Sequence, residues 1–127
     1  MNVLLDTHVF LWWDSQDKAL NADTRSLIAD PANQVFVSAA SIWEIAIKRR
    51  LKKLDFRGSA VAAIAANGFH EQPILPVDAE FAGALAWQHN DPFDRMLVAQ
   101  ARRLTFTLAT ADVAIRAYPN VAQIWAG

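Results

Sequence analysis

The sequence contains no cysteine among its 127 residues. This absence excludes disulfide bonds, zinc–thiolate sites and thiol nucleophiles. No apolar run approaches the roughly 20 residues that a membrane-spanning helix needs, because Glu44 interrupts the longest candidate. The first residues, MNVLLD, include no basic leader and reach an acid at position 6, which does not match a secretory or targeting signal. The sequence therefore predicts a soluble, cytoplasmic protein that does not enter a membrane.

The chain also lacks a strong net charge, since its formal charge at pH 7 is −1. Any affinity for nucleic acid must then come from local clusters of basic side chains and not from the field of the whole molecule. Five of the twelve basic residues fall within six positions, and a pair of arginines follows later: Lys48, Arg49, Arg50, Lys52, Lys53, Arg102 and Arg103. We predict that these residues bind phosphates. The alternative is a solvated helix end stabilised by the helix dipole.

Short apolar runs alternate with longer helical patterns along the chain. At this length and with 54% hydrophobic residues, one well-cored domain spanning residues 1–127 is expected. The patterns predict strands at residues 3–5, 35–37, 73–77, 105–109 and 121–125. They predict helices at residues 7–13, 21–29, from 38 onward, 58–66, 78–87 and 92–103, with a short helix after residue 112. This alternation indicates an α/β fold, a three-layer α/β/α sandwich with a central parallel sheet.

Four acidic residues follow or interrupt apolar segments, where a buried or half-buried position is expected: Asp6, Glu44, Asp94 and Asp112. An ionised carboxylate buried without a counter-charge is costly. No Lys or Arg lies within three residues of Asp6, Glu44 or Asp112, so a divalent cation is the most economical counter-charge. Oxygen ligands favour Mg²⁺ or Mn²⁺. Because functional groups in open parallel sheets collect where the strand order reverses, we expect the four side chains to share one crevice.

Each of these acids also has a purely structural interpretation. Asp6 and Asp112 follow strands and are suited to cap the next helix, and Asp94 lies in the first turn of a helix. Glu44 completes a Ser-x-x-Glu capping box. Ser38 is the better cap, however, and it would place Glu44 inside the helix among apolar neighbours.

The remaining polar and aromatic residues allow more than one interpretation. Arg95 beside Asp94 could form a plain surface ion pair, and His8 with His89 could act as general acid and base in phosphodiester cleavage without a metal. Tryptophans are more often core or interface residues. Five of them is a generous number for this length, so we expect some to be exposed for a partner: Trp12, Trp13, Trp43, Trp87 and Trp125.

Four segments, in this order and spacing, resemble the PIN-domain ribonucleases and, within them, the VapC-type toxins of bacterial toxin–antitoxin pairs: DTHVFLWW, SAASIWEIAIKRRLKKL, HNDPFDRMLVAQA and LATAD. The resemblance spans nearly the whole chain. It implies a PIN-like α/β/α sandwich and a Mg²⁺- or Mn²⁺-dependent endoribonuclease whose catalytic and metal-binding acids are Asp6, Glu44, Asp94 and Asp112. Asp91 matches a structural acid of the family. The resemblance further implies a homodimer and a small antitoxin protein whose tail occupies the active-site groove.

The predicted reaction is hydrolysis of RNA by a metal-activated water, which would leave a 5′-phosphate and a 3′-hydroxyl. One rival is a phosphatase with Asp6 as nucleophile. That chemistry generally uses a second acid two residues later, where this chain has His8. A second rival is a catalytically silent PIN-like protein-binding module, and a third is an RNA-processing nuclease without a toxin role.

Overall fold

The computed structural model describes residues 1–127, and a five-stranded parallel sheet forms its centre. Its strands are β1 (Asn2–Leu5), β2 (Gln34–Ser38), β3 (His70–Gln72), β4 (Thr107–Thr110) and β5 (Gln123–Trp125). In space they run in the order β3-β2-β1-β4-β5. The strand order therefore reverses between β1 and β4, which is where open parallel sheets form a crevice.

Seven helices cover the two faces of the sheet: α1 (Thr7–Asp14), α2 (Ala22–Ala29), α3 (Ala39–Arg50), α4 (Ala60–Ala66), α5 (Pro76–Ala84), α6 (Pro92–Leu104) and α7 (Val113–Arg116). Alternation along β1 sends Val3 and Leu5 to the face covered by α1–α4, and Leu4 to the face covered by α5–α7. Two apolar clusters result, one on each face. The predicted three-layer sandwich is confirmed. Across the structure, every helix is too short or too polar to pass through a bilayer.

The predicted strand at residues 73–77 is wrong. The strand in this region is β3, which ends at Gln72, and α5 already begins at Pro76. A proline offers no N–H to a strand ladder but suits the first position of a helix. Asp78 completes this helix start, because its Oδ2 accepts a hydrogen bond of 2.9 Å from the Leu75 N–H. The other predicted elements are present, with ends that shift by a few residues.

Candidate metal centre and active site

Asp6 lies where the strand order reverses between β1 and β4. Hydrogen bonds to residues of α1, of β4 and of the segment after β4 hold it in place. Its N–H donates to the carbonyl of Ala109 on β4 at 2.9 Å. Its Oδ1 accepts from the Val9 N–H at 2.8 Å, and its Oδ2 accepts from Thr110 Oγ1 at 2.6 Å and from the Ala111 N–H at 3.0 Å. Asp6 thus caps α1, as its structural interpretation proposed, and also orients a carboxylate at the end of the sheet.

Burial sets the electrostatics of this carboxylate, whose residue is 4% exposed. Burial raises the pKa of Asp6 above its ordinary value, and the hydrogen bonds from Thr110, Val9 and Ala111 offset only part of that rise. None of the salt bridges in the structure involves Asp6. The group is therefore suited to gain a positively charged partner.

Glu44 lies inside α3 because that helix begins earlier than a Ser-x-x-Glu box would place it. Ser38 is the cap, since its Oγ accepts from the Ala40 N–H at 3.0 Å. Glu44 Oε2 lies 3.0 Å from Lys48 Nζ, one helical turn later. A search limited to three residues on either side of Glu44 misses this basic partner, because residues four apart are neighbours on a helix.

Asp94 reaches the site from the first turn of α6. Asp91 caps this helix, and its Oδ1 accepts from the N–H groups of Phe93 at 2.9 Å and Asp94 at 3.0 Å. The carboxylate of Asp94 stays free of the cap, and its Oδ2 lies 2.7 Å from Nε2 of His89. Burial raises the pKa of Asp94 to about 6, the charges of Asp91 and Asp112 add to the rise, and His89 opposes it.

Arg95 does not form the surface ion pair with Asp94 that its position in the sequence suggested. Its guanidinium turns away and donates to backbone carbonyls at the end of α5 and in the segment between α5 and α6. Nε donates to Ala82 at 2.9 Å and Nη1 to Trp87 at 2.7 Å and to His89 at 3.0 Å. Nη2 donates to Leu85 at 2.8 Å. Arg95 therefore fixes the segment that carries His89.

Asp112 combines a structural contact with a place in the site. Its Oδ1 accepts from the N–H groups of Ala114 at 2.8 Å and Ile115 at 3.2 Å, so it caps α7 as its structural interpretation proposed. A ligand oxygen of Asp112 nevertheless lies within 4.8 Å of ligand atoms of Asp94 and His89. The same residue can therefore cap a helix and face a cation.

The structure brings all four predicted acids to one cavity of about 100 Å³, whose lining contains no hydrophobic residue. The lining comprises Asp6, Thr7, His8, Glu44, Lys48, Asp91, Asp94 and Asp112. Within this cavity, ligand atoms of Asp94 and Asp112 form one close group with His89, and Asp6 and Glu44 lie outside that group. Carboxylate oxygens facing a small polar space are the donors that Mg²⁺ and Mn²⁺ prefer. The residues present therefore fit a small, hard divalent cation.

The structure gives His89 and Ser41 roles that sequence reasoning did not assign to them, since each contacts a residue of the cavity lining. His89 was considered as an acid–base group, whereas the structure makes it the hydrogen-bond partner of Asp94. Ser41 is fully buried, and its Oγ accepts from Thr7 Oγ1 at 2.9 Å. The signal available in the sequence was a small polar residue three positions after Ser38, in the first turn of the predicted helix.

The basic residues predicted to bind phosphates separate into two groups. Lys48 and Lys53 line a cavity of about 490 Å³ that shares Thr7, His8 and Lys48 with the acidic cavity. The other three residues of the first cluster, Arg49, Arg50 and Lys52, are exposed near the end of α3. The basic residues at the end of α3 therefore extend from the edge of the acidic cavity towards solvent.

Arg102 and Arg103 lie at the other end of α6 from the acidic cavity and have internal partners. Arg103 forms an ion pair with Asp78, which is fully buried. Arg102 Nη1 donates to the hydroxyl of Tyr118 at 2.8 Å, and its guanidinium lies 5.0 Å from the centroid of the Phe81 ring. These contacts support the helix packing, so we do not retain the two arginines as candidate phosphate ligands.

The chain is similar to several known proteins. Ribonuclease VapC22 of Mycobacterium tuberculosis (strain ATCC 25618 / H37Rv) is 25% identical over 128 residues, covering 97% of this chain and 98% of that protein. The fold is shared with VapBC2 from Rickettsia felis bound to a DNA fragment from their promoter, at a TM-score of 0.67, 14% identity and 98% coverage of each chain. It is also shared with a toxin–antitoxin complex from Klebsiella pneumoniae, at a TM-score of 0.68, 18% identity and coverage of 97% of this chain and 96% of that chain.

A family model described as PIN domain matches residues 3–121, which include all four acids of the cavity. The resemblance seen in the sequence is thus confirmed. Since this match extends over most of its length, the chain belongs to the PIN-domain family.

Proposed function

We propose that this protein is a Mg²⁺- or Mn²⁺-dependent endoribonuclease and the toxin of a toxin–antitoxin pair. The observation that carries the proposal is the convergence of Asp6, Glu44, Asp94 and Asp112, from four separate segments, on one small polar cavity. The name of the relative in Mycobacterium tuberculosis, a VapC ribonuclease, supports RNA as the substrate. The similar fold in solved VapBC and toxin–antitoxin complexes supports a small antitoxin protein as partner.

Asp6, Asp94, Asp112 and Glu44 would hold the cation. Asp6 Oδ1, which caps α1, accepts one hydrogen bond and keeps a second lone pair, and Asp112 caps α7 through Oδ1, so its Oδ2 remains for the cation. When bound, a hard divalent cation lowers the pKa of water and neutralises charge on phosphoryl oxygens. Thr110 holds the carboxylate of Asp6 in place through its 2.6 Å hydrogen bond. Glu44 would orient the attacking water, because its carboxylate is at the cavity and is held by Lys48 alone. The expected products carry a 5′-phosphate and a 3′-hydroxyl.

The substrate path would leave the acidic cavity on the side of Lys48. Lys48 lines both this cavity and the larger one next to it, so its ammonium group is suited to a phosphate beside the scissile one. Lys53 and Arg57 lie further along in the larger cavity. These contacts provide a sequence-independent and salt-dependent part of the affinity. Recognition of a particular RNA would then depend on its shape and its unpaired bases.

The decisive experiment compares cleavage of a structured RNA by the purified, partner-free protein in Mg²⁺, Mn²⁺ and EDTA. Asp6→Asn and Asp94→Asn should each lower the rate by at least about a hundredfold, because each removes a charged ligand next to the reacting phosphate. Asp23→Asn is the matched control, since Asp23 is an exposed acid on α2 outside the cavity. Wild-type products should carry 5′-phosphates.

Three results would contradict the proposal in different ways. Cleavage that persists in EDTA or in both variants would exclude the metal mechanism. A 2′,3′-cyclic phosphate product would favour acid–base catalysis by His8 and His89. Absence of both cleavage and Mn²⁺ binding would favour a silent protein-binding module.

The proposal also covers the oligomeric state, toxicity and location of the protein, and each can be measured separately. We expect a homodimer, which light scattering of the purified protein would show. Expression in bacterial cells should arrest growth, and co-expression of a small antitoxin encoded next to this gene should relieve the arrest. A protein that cleaves RNA without arresting growth would instead be a processing nuclease. A cytoplasmic location is likewise expected, and cell fractionation would test it.

A further inference from the structure

Trp43 is the one tryptophan of this protein whose side chain is largely exposed, at 60%. The other four tryptophans are half-buried. Its ring packs edge-to-face on Phe93, with a centroid distance of 5.3 Å and an interplanar angle of 70°. This aromatic pair bridges α3 and α6. Neither ring lines the acidic cavity, but each is adjacent in sequence to a residue that does, since Trp43 precedes Glu44 and Phe93 precedes Asp94.

A large aromatic ring left in water gives up much of the free energy that its burial would provide. The Phe93 contact holds Trp43 from one side, so the ring has a defined position and an open surface. A flat ligand could stack there without any rearrangement of α3. The feature therefore resembles a preformed binding surface more than an unfilled part of the core.

We propose that Trp43, supported by Phe93, is a stacking platform for an unpaired nucleobase of the RNA, next to the phosphate in the acidic cavity. This inference rests on the proposed nuclease function. A nucleotide has both groups that the two neighbouring surfaces require: an anionic phosphate for the cation among the acids, and a flat π system for the exposed ring. Lys48, one turn after Glu44, adds a charge for the phosphate.

The platform also defines the class of RNA. In a duplex the bases are already paired and stacked, so their faces are not available to an aromatic side chain. An unpaired nucleotide in a loop, a bulge or a single strand can turn its base onto Trp43 while its phosphate stays at the acids. The platform therefore selects single-stranded segments without requiring a particular base, because every base has a π face.

The test compares two fluorescently labelled oligomers of equal length and charge, one a single-stranded RNA and the other a ribose-phosphate chain without bases. Binding is measured by anisotropy with Ca²⁺ in place of Mg²⁺, since both are hard cations with oxygen ligands. Wild-type protein should prefer the base-bearing oligomer by about tenfold or more, the typical effect of one stacked base. Trp43→Ala should lose most of that preference, and Trp43→Phe should keep it.

Val113→Ala is the matched control. Val113 is a 74% exposed apolar residue next to Asp112, but it has no aromatic ring, so its loss should leave the base preference unchanged. A preference that survives in Trp43→Ala would overturn the platform, because the bases would then be recognised elsewhere. Equal weakening of both oligomers would also overturn it, since that pattern indicates general damage.

Cleavage by the same proteins in Mg²⁺ separates this inference from the proposed function. If wild type and Trp43→Ala cleave RNA alike and bind both oligomers alike, the platform is wrong and the nuclease stands. If wild type cleaves no RNA in any metal, the nuclease is wrong, and the binding comparison still decides whether bases stack on Trp43.

Discussion

Nε2 of His89 lies 2.7 Å from Oδ2 of Asp94, so the acid of α6 has an internal partner at the cavity. The hydrogen bond and the charge of this histidine both lower the pKa of Asp94, against burial and two neighbouring acids that raise it to about 6. His89 thus keeps Asp94 ionised, and able to bind a cation, to a lower pH than burial alone would allow.

We therefore expect His89→Ala to weaken Mn²⁺ binding several-fold at pH 6 and little at pH 8, where Asp94 is ionised with or without the ring. Titration calorimetry at the two pH values measures this difference. His70→Ala is the control, because His70 is exposed on β3 and outside the cavity. An equal loss at both pH values would contradict the role given to His89 and would make the ring itself a metal ligand.

The stability of the metal-free protein should depend on pH through Asp94. Its pKa of about 6 in the folded state lies above the ordinary value of 3.8, so the folded state binds the proton more tightly than the unfolded state. The stabilisation is complete below about pH 4 and disappears as the pH rises through 6. This difference in pKa corresponds to a loss on the order of 3 kcal/mol.

Asp94→Asn should remove this dependence, because the amide does not ionise. In EDTA the variant should gain stability relative to wild type as the pH rises from 5 to 7.5, measured by urea unfolding. Asp6, whose pKa is also raised, is present in both proteins and cancels in the difference. A stability difference that stays constant over this range would refute the assignment.

Much of this site was predictable, because its framework depends on local signals. Ser38 caps α3 and Asp91 caps α6 as their sequence contexts indicate. Asp6 and Asp112 follow strands that neighbour each other in the sheet, so the reversal point brings them together. Strand ends and helix caps depend on a few neighbouring residues. Here they determine the backbone position from which each carboxylate extends.

The partners of charged side chains were less predictable, because they depend on packing between distant segments. Asp78 and Arg103 are 25 residues apart in sequence, and no local pattern connects them. Adjacency in sequence suggested that Arg95 pairs with Asp94. A helix places consecutive residues about 100° apart, so Arg95 turns towards the preceding segment.

Arg95 should act as a positioning residue for His89. Its guanidinium spans backbone carbonyls from Ala82 to His89, and the ammonium group of lysine cannot reproduce that fork. Arg95→Lys should cost about 2–4 kcal/mol of stability. It should also speed hydrogen exchange of the amides of residues 85–89 while leaving β1 protected. Arg25→Lys, which loses a single contact with the carbonyl of Asp17, is the control. Unchanged exchange in this segment would rule out the positioning role.

The Asp78–Arg103 pair should matter for folding and not for RNA. Burial disfavours the charged form of Asp78, but the hydrogen bonds from Arg103 and from the Leu75 N–H, with the charge of Arg103, lower its pKa below the ordinary value. Arg103→Ala would leave this buried carboxylate without a counter-charge, at a cost of about 3–5 kcal/mol. The double variant Asp78→Asn with Arg103→Met should lose much less, as urea unfolding would show. RNA affinity per folded molecule should not change, and a clear loss would restore Arg103 as a phosphate ligand.

The proposed path of the RNA predicts how RNA affinity depends on salt concentration. Lys53 lines the larger cavity next to the acids, and its side chain has no acidic partner in the structure. Each phosphate contact to single-stranded RNA contributes about 0.7 to the slope of log affinity against log salt concentration. Lys53→Ala should therefore weaken binding of single-stranded RNA in Ca²⁺ and reduce that slope by roughly this amount. Lys18→Ala, at an exposed lysine outside both cavities, should change neither quantity. Because the slope counts contacts and does not respond to stability, an unchanged slope in Lys53→Ala would mean that the RNA leaves the acids in another direction.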